Sequence, residues 1–444
     1  MKLAALSSLF AATACFAQSG ALDLSFNAGA GSGGSWISSM CLTTNGQIVV
    51  AGNFLAFNGT PRQYLARLNS DGSLDQTFDP GTGPNNPVSS VSVGANGKVL
   101  IAGAFSQVDG LYQPYVARLR EDGSLDLTFT NVVNGAVNDV VSLNNGGCLI
   151  AGSFSTINGA AMNNIARFNA DGSLDTSFSP AVVAPAGVQT LAVQSNGYIV
   201  IGGNFSSVGG LPYQYAARLT STGSVDTSFV GPGSFGPLTS SHAITAINIE
   251  TNGQLVILGY FATIDGYSEL GVARLNSDGT LDATFRNALI SAWGNSVGVQ
   301  VDGKIVILAS PGVSRLNPDG SVDSSFGTTV SFSYVDALAL QADGKILVAG
   351  SSFGLNGTNI NGIARLLGNS AVQAGVQLLN MNLYPGMFLS GSVGTNYRVE
   401  YTTNLTSPSL WTPLTNLTLT NSPTFVPDPT LPQGYRFYRA VTIP

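Results

Sequence analysis

Charge is what this 444-residue chain has least of: 9% of its residues are Asp, Glu, Lys or Arg. The 17 basic side chains are outnumbered by 24 acidic ones, for a net charge of −7. A surface of that sign repels phosphate backbones, which excludes nucleic acid as a natural partner. Histidine occurs once, as His242, beside Ser240 and Ser241 in a long insertion at 230–243. Any Ser-His-Asp triad would depend on it, and a zinc site would need more ligands than the chain offers. His242 therefore reads as a solvent-exposed loop residue. Cysteine is nearly as scarce. Only Cys41 and Cys148 follow Cys15, two repeats apart in strand-patterned segments, so they read as buried thiols rather than a disulfide.

Long apolar runs are missing except at the start. Lys2 precedes an apolar stretch over 3–17 that is too short to span a bilayer, with a small residue at Ala17. That pattern predicts a secretory signal at 1–17, and with it a secreted or cell-surface protein without a transmembrane segment. Cys15 offers the lesser alternative of a lipoprotein anchor, but the large aliphatic residue such signals carry three positions earlier is absent.

What the chain has in abundance is glycine, 54 residues, and repetition. The phrase Ala66-Arg67-Leu68-Asn69-Ser70-Asp71-Gly72-Ser73-Leu74-Asp75 recurs with small changes. The arginines Arg67, Arg118, Arg167, Arg218, Arg274, Arg315 and Arg365 mark seven units spaced by 51, 49, 51, 56, 41 and 50 residues. A period of about 50 suits one blade of a β-propeller. Each unit runs in the same order. An alternating segment such as 88–93 leads to an Asn-Gly or Asp-Gly turn, then a near-continuous apolar strand, a loop, the Arg strand and a second turn. No unit has a helical period or room for a crossover helix, so parallel βαβ winding is excluded.

An aspartate follows each of six arginines by eight residues: Asp75, Asp126, Asp175, Asp226, Asp282 and Asp323. Arg365 lacks one, and an orphan copy, Leu22-Asp23-Leu24-Ser25-Phe26, opens the chain. The expectation is that Asp23 pairs with Arg365 and that the N-terminal segment completes the last blade, hiding the edges of an open ring. Each Arg is expected to be partly buried and to fix the Asp end of its own blade.

The units, for example Asn96-Gly97-Lys98-Val99-Leu100-Ile101-Ala102-Gly103-Ala104-Phe105 and Ala117-Arg118-Leu119-Arg120-Glu121-Asp122-Gly123-Ser124-Leu125-Asp126, resemble the delta-60 repeat family of bacterial secreted and surface proteins. The resemblance covers about 22–368 and implies a β-propeller without implying an activity or catalytic residues. Unit six departs most, reaching Arg315 soon after Ser310, which predicts a bare rim there. The period breaks after 368. Tyr397 to Tyr401, Asn416 to Thr420 and Arg436 to Ala440 read as strands of a small β-sandwich at 371–444, similar to C-terminal modules of secreted bacterial repeat proteins. The expected fold is thus all-β, with a seven-bladed propeller at 18–368 and this module behind it.

Chemistry-bearing residues are few. The loop from Asn69 to Asp75 is oxygen-rich, but it lacks the glycine spacing and the bidentate Glu of a calcium loop and reads as an Asp-Gly turn. Glycosidases need two carboxylates about 5–9.5 Å apart. The chain has four Glu, and only Asp79, Asp109, Asp139, Asp265, Asp336 and Asp428 lie off the repeat positions. Gly29 to Gly34 follow no strand–helix context and form a loop, not a phosphate cradle. Tyrosines are more suggestive. Tyr64, Tyr115 and Tyr215 stand three residues before an Arg, joined by Tyr112, Tyr213 and Tyr267. They could form a glycan-binding platform, or simply pack as strand residues. No catalytic, metal or cofactor residue is expected. The leading reading is a non-catalytic binding scaffold for a glycan or protein. An extracellular polysaccharide-degrading enzyme with its site at the propeller axis, and a purely architectural surface protein, stand behind it.

Overall fold

The computed structural model describes residues 19–368 apart from short stretches at 179, 181, 184–186, 237–243, 288–293, 310–311, 329 and 332–334. It also describes 386–389, 391–402, 411–420, 424–427 and 437–443. The signal segment with Cys15, and His242, Ser240, Ser241, Asp428 and Arg436, lie outside the described residues. All regular structure among those described is β, and residues Gln18–Asn369 form one compact unit.

Each of the seven units in Gln18–Asn369 folds as an antiparallel sheet whose strands follow chain order. In the first blade Trp36–Leu42 pairs with Ile48–Asn53, and that strand with Leu65–Leu68. The first strands line the axis. Trp36–Leu42, Val88–Val93, Val137–Ser142, Val188–Val193, Ile244–Ile249, Gly294–Val299 and Val335–Leu340 pack each against the next, and the last against the first. That cyclic order defines a closed seven-bladed β-propeller. The second strands, such as Val99–Gly103, are buried throughout because both faces meet a neighbouring blade.

Outside the Arg strand each blade has only a vestigial fourth strand. It pairs at a single position, as in Leu68 with Leu74 or Leu119 with Leu125. The chain leaves the sheet because the next residue, Asp75, turns its carboxyl back onto the Thr77 N–H and hydroxyl, closing a local turn that competes with ladder pairing. In the seventh blade the bridge joins Leu22 to Leu366. Asp23 N–H donates to the Arg365 carbonyl and Leu367 N–H to that of Ala21, so the start of the chain shuts the ring.

The second turns at Gly72, Gly123, Gly172, Gly279 and Gly320 lock to the chain leaving the blade before them. Gly123 has φ 93°, and a Cβ there would lie 2.7 Å from the Asp79 backbone, so only glycine fits. Unit six joins its second and third strands, Ile305–Ala309 and Gly312–Leu316, directly, without the two-stranded hairpin seen in units one, two, three and five. Residues 29–34 form successive turns. Cys148 is buried, Cys41 partly so, and both are free thiols.

The second unit contains two antiparallel sheets. Gly386–Leu389 pairs with Thr424–Pro427, and Asn396–Thr402 lies between Thr412–Thr418 and Phe437–Thr442. Leu389, Tyr397, Val399, Leu419 and Val426 form their shared core. Glu400 is held beside it by Arg398 and Arg439.

Candidate functional site

The repeated Arg–Asp pairs come first because they set the frame. Arg118 is 2% exposed, and its Nε donates to Asp126 Oδ2 at 2.8 Å. Equivalent bonds of 2.7–2.8 Å join Arg67 to Asp75, Arg167 to Asp175, Arg218 to Asp226, Arg274 to Asp282, Arg315 to Asp323 and Arg365 to Asp23. The guanidinium also reaches onward. Arg67 Nη1 donates to the Glu121 carbonyl of the next blade at 2.6 Å, Arg118 to that of Ala170, and Arg365 to that of Ser70 in the first blade. Each guanidinium also lies over a phenylalanine of its own blade, as Arg118 does over Phe129 and Arg365 over Phe26. Burial alone would raise Asp75, but hydrogen bonds from Thr77 and Arg67 outweigh it and hold the carboxyl below its ordinary range.

The disc has two unlike ends. Antiparallel pairing puts the starts of the inner strands beside the ends of the second strands, as in Trp36 opposite Asn53. Every inner strand carries a β-bulge near this end. The extra residues are Ser38, Ser89, Asn138, Gln189, Thr245, Asn295 and Asp336, all polar. Several hand a hydrogen bond to the following blade. Ser38 Oγ donates to the Val88 carbonyl at 2.8 Å, Asn138 Nδ2 to that of Val188 at 2.9 Å, and Thr245 Oγ1 to that of Gly294 at 2.7 Å. Between blades six and seven, Asn295 Nδ2 donates to Asp336 Oδ1 at 3.1 Å, and the Trp36 side chain of blade one lies beside the same carboxyl. Burial raises the pKa of Asp336, with these two neighbours opposing.

Over blades one to three this ring opens into a pocket of about 380 Å³. Trp36, Ser38, Asn53, Ser89, Tyr115 and Asn138 supply its aromatic and polar lining, and among the described residues none that lines it is ionisable as an acid, amine, guanidine or imidazole. Its floor is backbone. A Cβ on Gly103 would lie 2.3 Å from the Pro87 carbonyl, so glycine lets the two strands close there. A larger pocket of about 530 Å³ lies between blades three and four at the other end, lined by turn residues such as Asn145 and Gln194 and by Arg167. Its guanidinium is already spent on Asp175 and the Ser221 carbonyl, so that cleft is the ordinary seam between blades.

The tyrosines separate into two groups. Tyr64, Tyr115 and Tyr215 take φ of 63°, 66° and 65°, a region that glycine occupies at the matching Gly271 and Gly362. All three are half-buried against the neighbouring blade's core, and Tyr115 also lines the axial pocket. Tyr213 packs between blades four and five. Tyr112 and Tyr267 are exposed on the hairpins, with Arg286 over the Tyr267 ring at 5.9 Å. The six do not form one platform. Trp36, Asn53 and Asn138 were not singled out from the sequence. The signal that would have found Asn138 is the bulge position, polar in all seven units once they are aligned on the glycine of the first turn, eight residues later.

The carboxylates off the repeat positions also scatter. Asp139 accepts from Ser90 Oγ and Leu191 N–H, and burial pushes its pKa up to about 6. Asp109 and Asp265 cap backbone N–H groups of the preceding linkers. At the repeat positions, Asp71 likewise binds Ser73 of its own turn. Among the described residues no group of His, Cys, Asp or Glu is placed to hold a metal ion, and no helix is long and apolar enough to cross a membrane.

The ring and its axial mouth define a β-propeller. Segments 43–78, 94–129, 145–178, 194–229, 250–285, 300–326 and 341–372 match the model of a domain of unknown function (DUF5122) β-propeller, and together they make up more than half of the chain. The chain belongs to this DUF5122 family. No curated protein matches the sequence. Among solved structures it is similar to PorZ, a bacterial surface component of the type-IX secretion system of Porphyromonas gingivalis, at 14% identity and a TM-score of 0.47. That match covers 88% of this chain and 54% of PorZ. It is also similar to the extracellular domain of BT4673 from B. thetaiotaomicron, at 10% identity and a TM-score of 0.46, covering 92% and 56%. The chain thus spans about half the length of these two. The XC5397 gluconolactonase from Xanthomonas campestris matches at 15% identity and a TM-score of 0.38, covering 68% of this chain and 89% of that one.

Proposed function

We propose that this protein is a secreted, non-catalytic binding scaffold that takes its ligand in the axial pocket. The first 17 residues serve as its secretory signal, and the C-terminal module at 371–444 is a separate domain. One observation carries the reading: Trp36, Asn53, Tyr115 and Asn138 line a single concavity of ligand size, with no carboxylate among its described lining residues. Acid–base or nucleophilic chemistry needs an ionisable group in reach of the substrate, whereas recognition needs apolar surface and a few fixed polar groups. The Arg–Asp ring fits a structural role, since its charges are turned inward and matched. The delta-60 resemblance of the repeats agrees with an extracellular setting.

The test is a screen of the chain from Gln18 against glycan arrays and immobilised secreted proteins, beside Ala104→Trp. Ala104 is an exposed lining residue, so the substitution fills the pocket without entering the core. A ligand that binds the parent and is lost by Ala104→Trp supports the proposal. Binding unaffected by the substitution contradicts it.

A further inference from the structure

Resting on the reading of the axial pocket as a ligand site, we propose that its ligand is an uncharged carbohydrate stacked on the indole of Trp36. The first argument is charge. Among the described residues, every lining group is apolar, aromatic, hydroxyl, amide or backbone. A carboxylate, sulfate or ammonium taken from water into such a site would have no counter-charge, and that burial is heavily penalised. Of the two acids on the inner strands, Asp139 is buried and accepts from Ser90 and Leu191, and Asp336 accepts from Asn295. With a net charge of −7, the protein as a whole repels anionic sugars as well.

The second argument is shape. A protein partner docking stably would cover roughly 800 Å² of surface on this side, whereas a concavity of about 380 Å³ has the size of a small-molecule site. One or two rings fit. A sugar ring has an apolar C–H face that suits an aromatic plane and a rim of hydroxyls that suits amides. Trp36 is 39% exposed and Asn53 is exposed at the end of its strand, so both are open to a ligand.

The third argument is fixity. A stacking platform must be held still before the ligand arrives, and Trp36 is held in the ladder opposite Asn53 with its side chain beside the Asp336 carboxyl of blade seven. Asp336 is thus a positioning residue for the platform. On the far wall, Tyr115 is fixed in its left-handed backbone conformation by a 2.9 Å bond from its N–H to the Phe105 carbonyl and a 3.0 Å bond accepted from Gly103.

The experiment is isothermal titration of the chain from Gln18 with cellohexaose, xylohexaose and mannohexaose, beside tetragalacturonate as the anionic probe. Parent, Trp36→Ala, Trp36→Phe and Ala104→Trp are compared, with thermal melts confirming that each folds. The expected result is binding of at least one neutral hexasaccharide and none of tetragalacturonate. Trp36→Ala should weaken it at least tenfold, Trp36→Phe less, and Ala104→Trp should abolish it. Binding quenches the Trp36 emission, and Asp336→Ala, read by the same emission, weakens binding while leaving the melt unchanged. If tetragalacturonate binds and Ala104→Trp blocks it, or if the screen above places a protein in the pocket, the carbohydrate inference is overturned while the pocket remains a ligand site. If neither the titrations nor the screen finds a ligand sensitive to Ala104→Trp, both proposals fall.

Discussion

Arg365 and Asp23 are 342 residues apart in the chain and 2.8 Å apart in space, and Lys345 joins the same carboxylate at 3.2 Å. This pair closes the ring, and its removal should do more than loosen a terminus. Asp23→Ala leaves a buried guanidinium without its counter-charge, a loss of about 3–5 kcal/mol for a fully buried pair. Asp175→Ala acts at a more exposed pair, with side chains 20% and 16% exposed, and should be milder. Urea unfolding of both variants checks the order. Equal midpoints for Asp23→Ala and the parent would rule out the closing role.

Acid should undo the same ring. The paired aspartates are held below their unfolded values, Asp23 at about 2, because hydrogen bonds from Ser25 and Lys345 and the Arg365 charge outweigh the burial that would raise it. A depressed group stabilises the fold fully above its unfolded pKa, about 3.9 for Asp, and that contribution is lost as pH falls through the folded value. Melting temperature should therefore fall steeply between about pH 4 and pH 2, followed by circular dichroism. A melt unchanged down to pH 2 would contradict the assignment.

Asp139 works in the opposite direction. Burial raises it to about 6, so its contribution is present below about pH 4 and is lost as pH rises through 6. The matching residues Ser39 and Ser90 accept the equivalent backbone N–H with a hydroxyl, from Val91 and Val140. Asp139→Ser should therefore gain about 1–3 kcal/mol at pH 8 relative to pH 4. Melts of both proteins at the two pH values measure this, and a gain independent of pH would show that the carboxyl is not the cause.

The frame of the molecule was legible because its signals repeat. Arg67 and Asp75 recur at a spacing of eight, and that alone located the closure between Asp23 and Arg365. The onward bond from Arg67 to the Glu121 carbonyl was not legible, since a backbone acceptor has no residue type to read. The outer strand was not legible in its extent: Leu74 makes one bridge to Leu68 before the Asp75 turn ends it. The site was the least legible part. Trp36, Tyr115 and Asn138 come from three units, and ring geometry, not spacing in the chain, brings them together. Tyr115 also hides its backbone state, because a tyrosine standing where other units have glycine gives no local hint of a positive φ.

The two thiols should be silent. Burial pushes Cys148 up to about 12 and raises Cys41 too, so little thiolate exists at neutral pH. The folded chain from Gln18 should not react with a chromogenic disulfide reagent at pH 8 and should show both thiols in guanidinium. Rapid native labelling would mean that the inner sheets open readily.

Closure itself can be tested by cross-linking. The bonds flanking Leu22 and Leu366 make them a non-hydrogen-bonded antiparallel pair, with Cα atoms about 4.5 Å apart, within disulfide range. In a Leu22→Cys, Leu366→Cys double variant of the chain from Gln18, mild oxidation should link the two ends in the native protein. Peptide mass spectrometry should then recover segments from both termini as one disulfide-joined species. Recovery of both new thiols free after oxidation would mean that the ring is not shut by its own first residues.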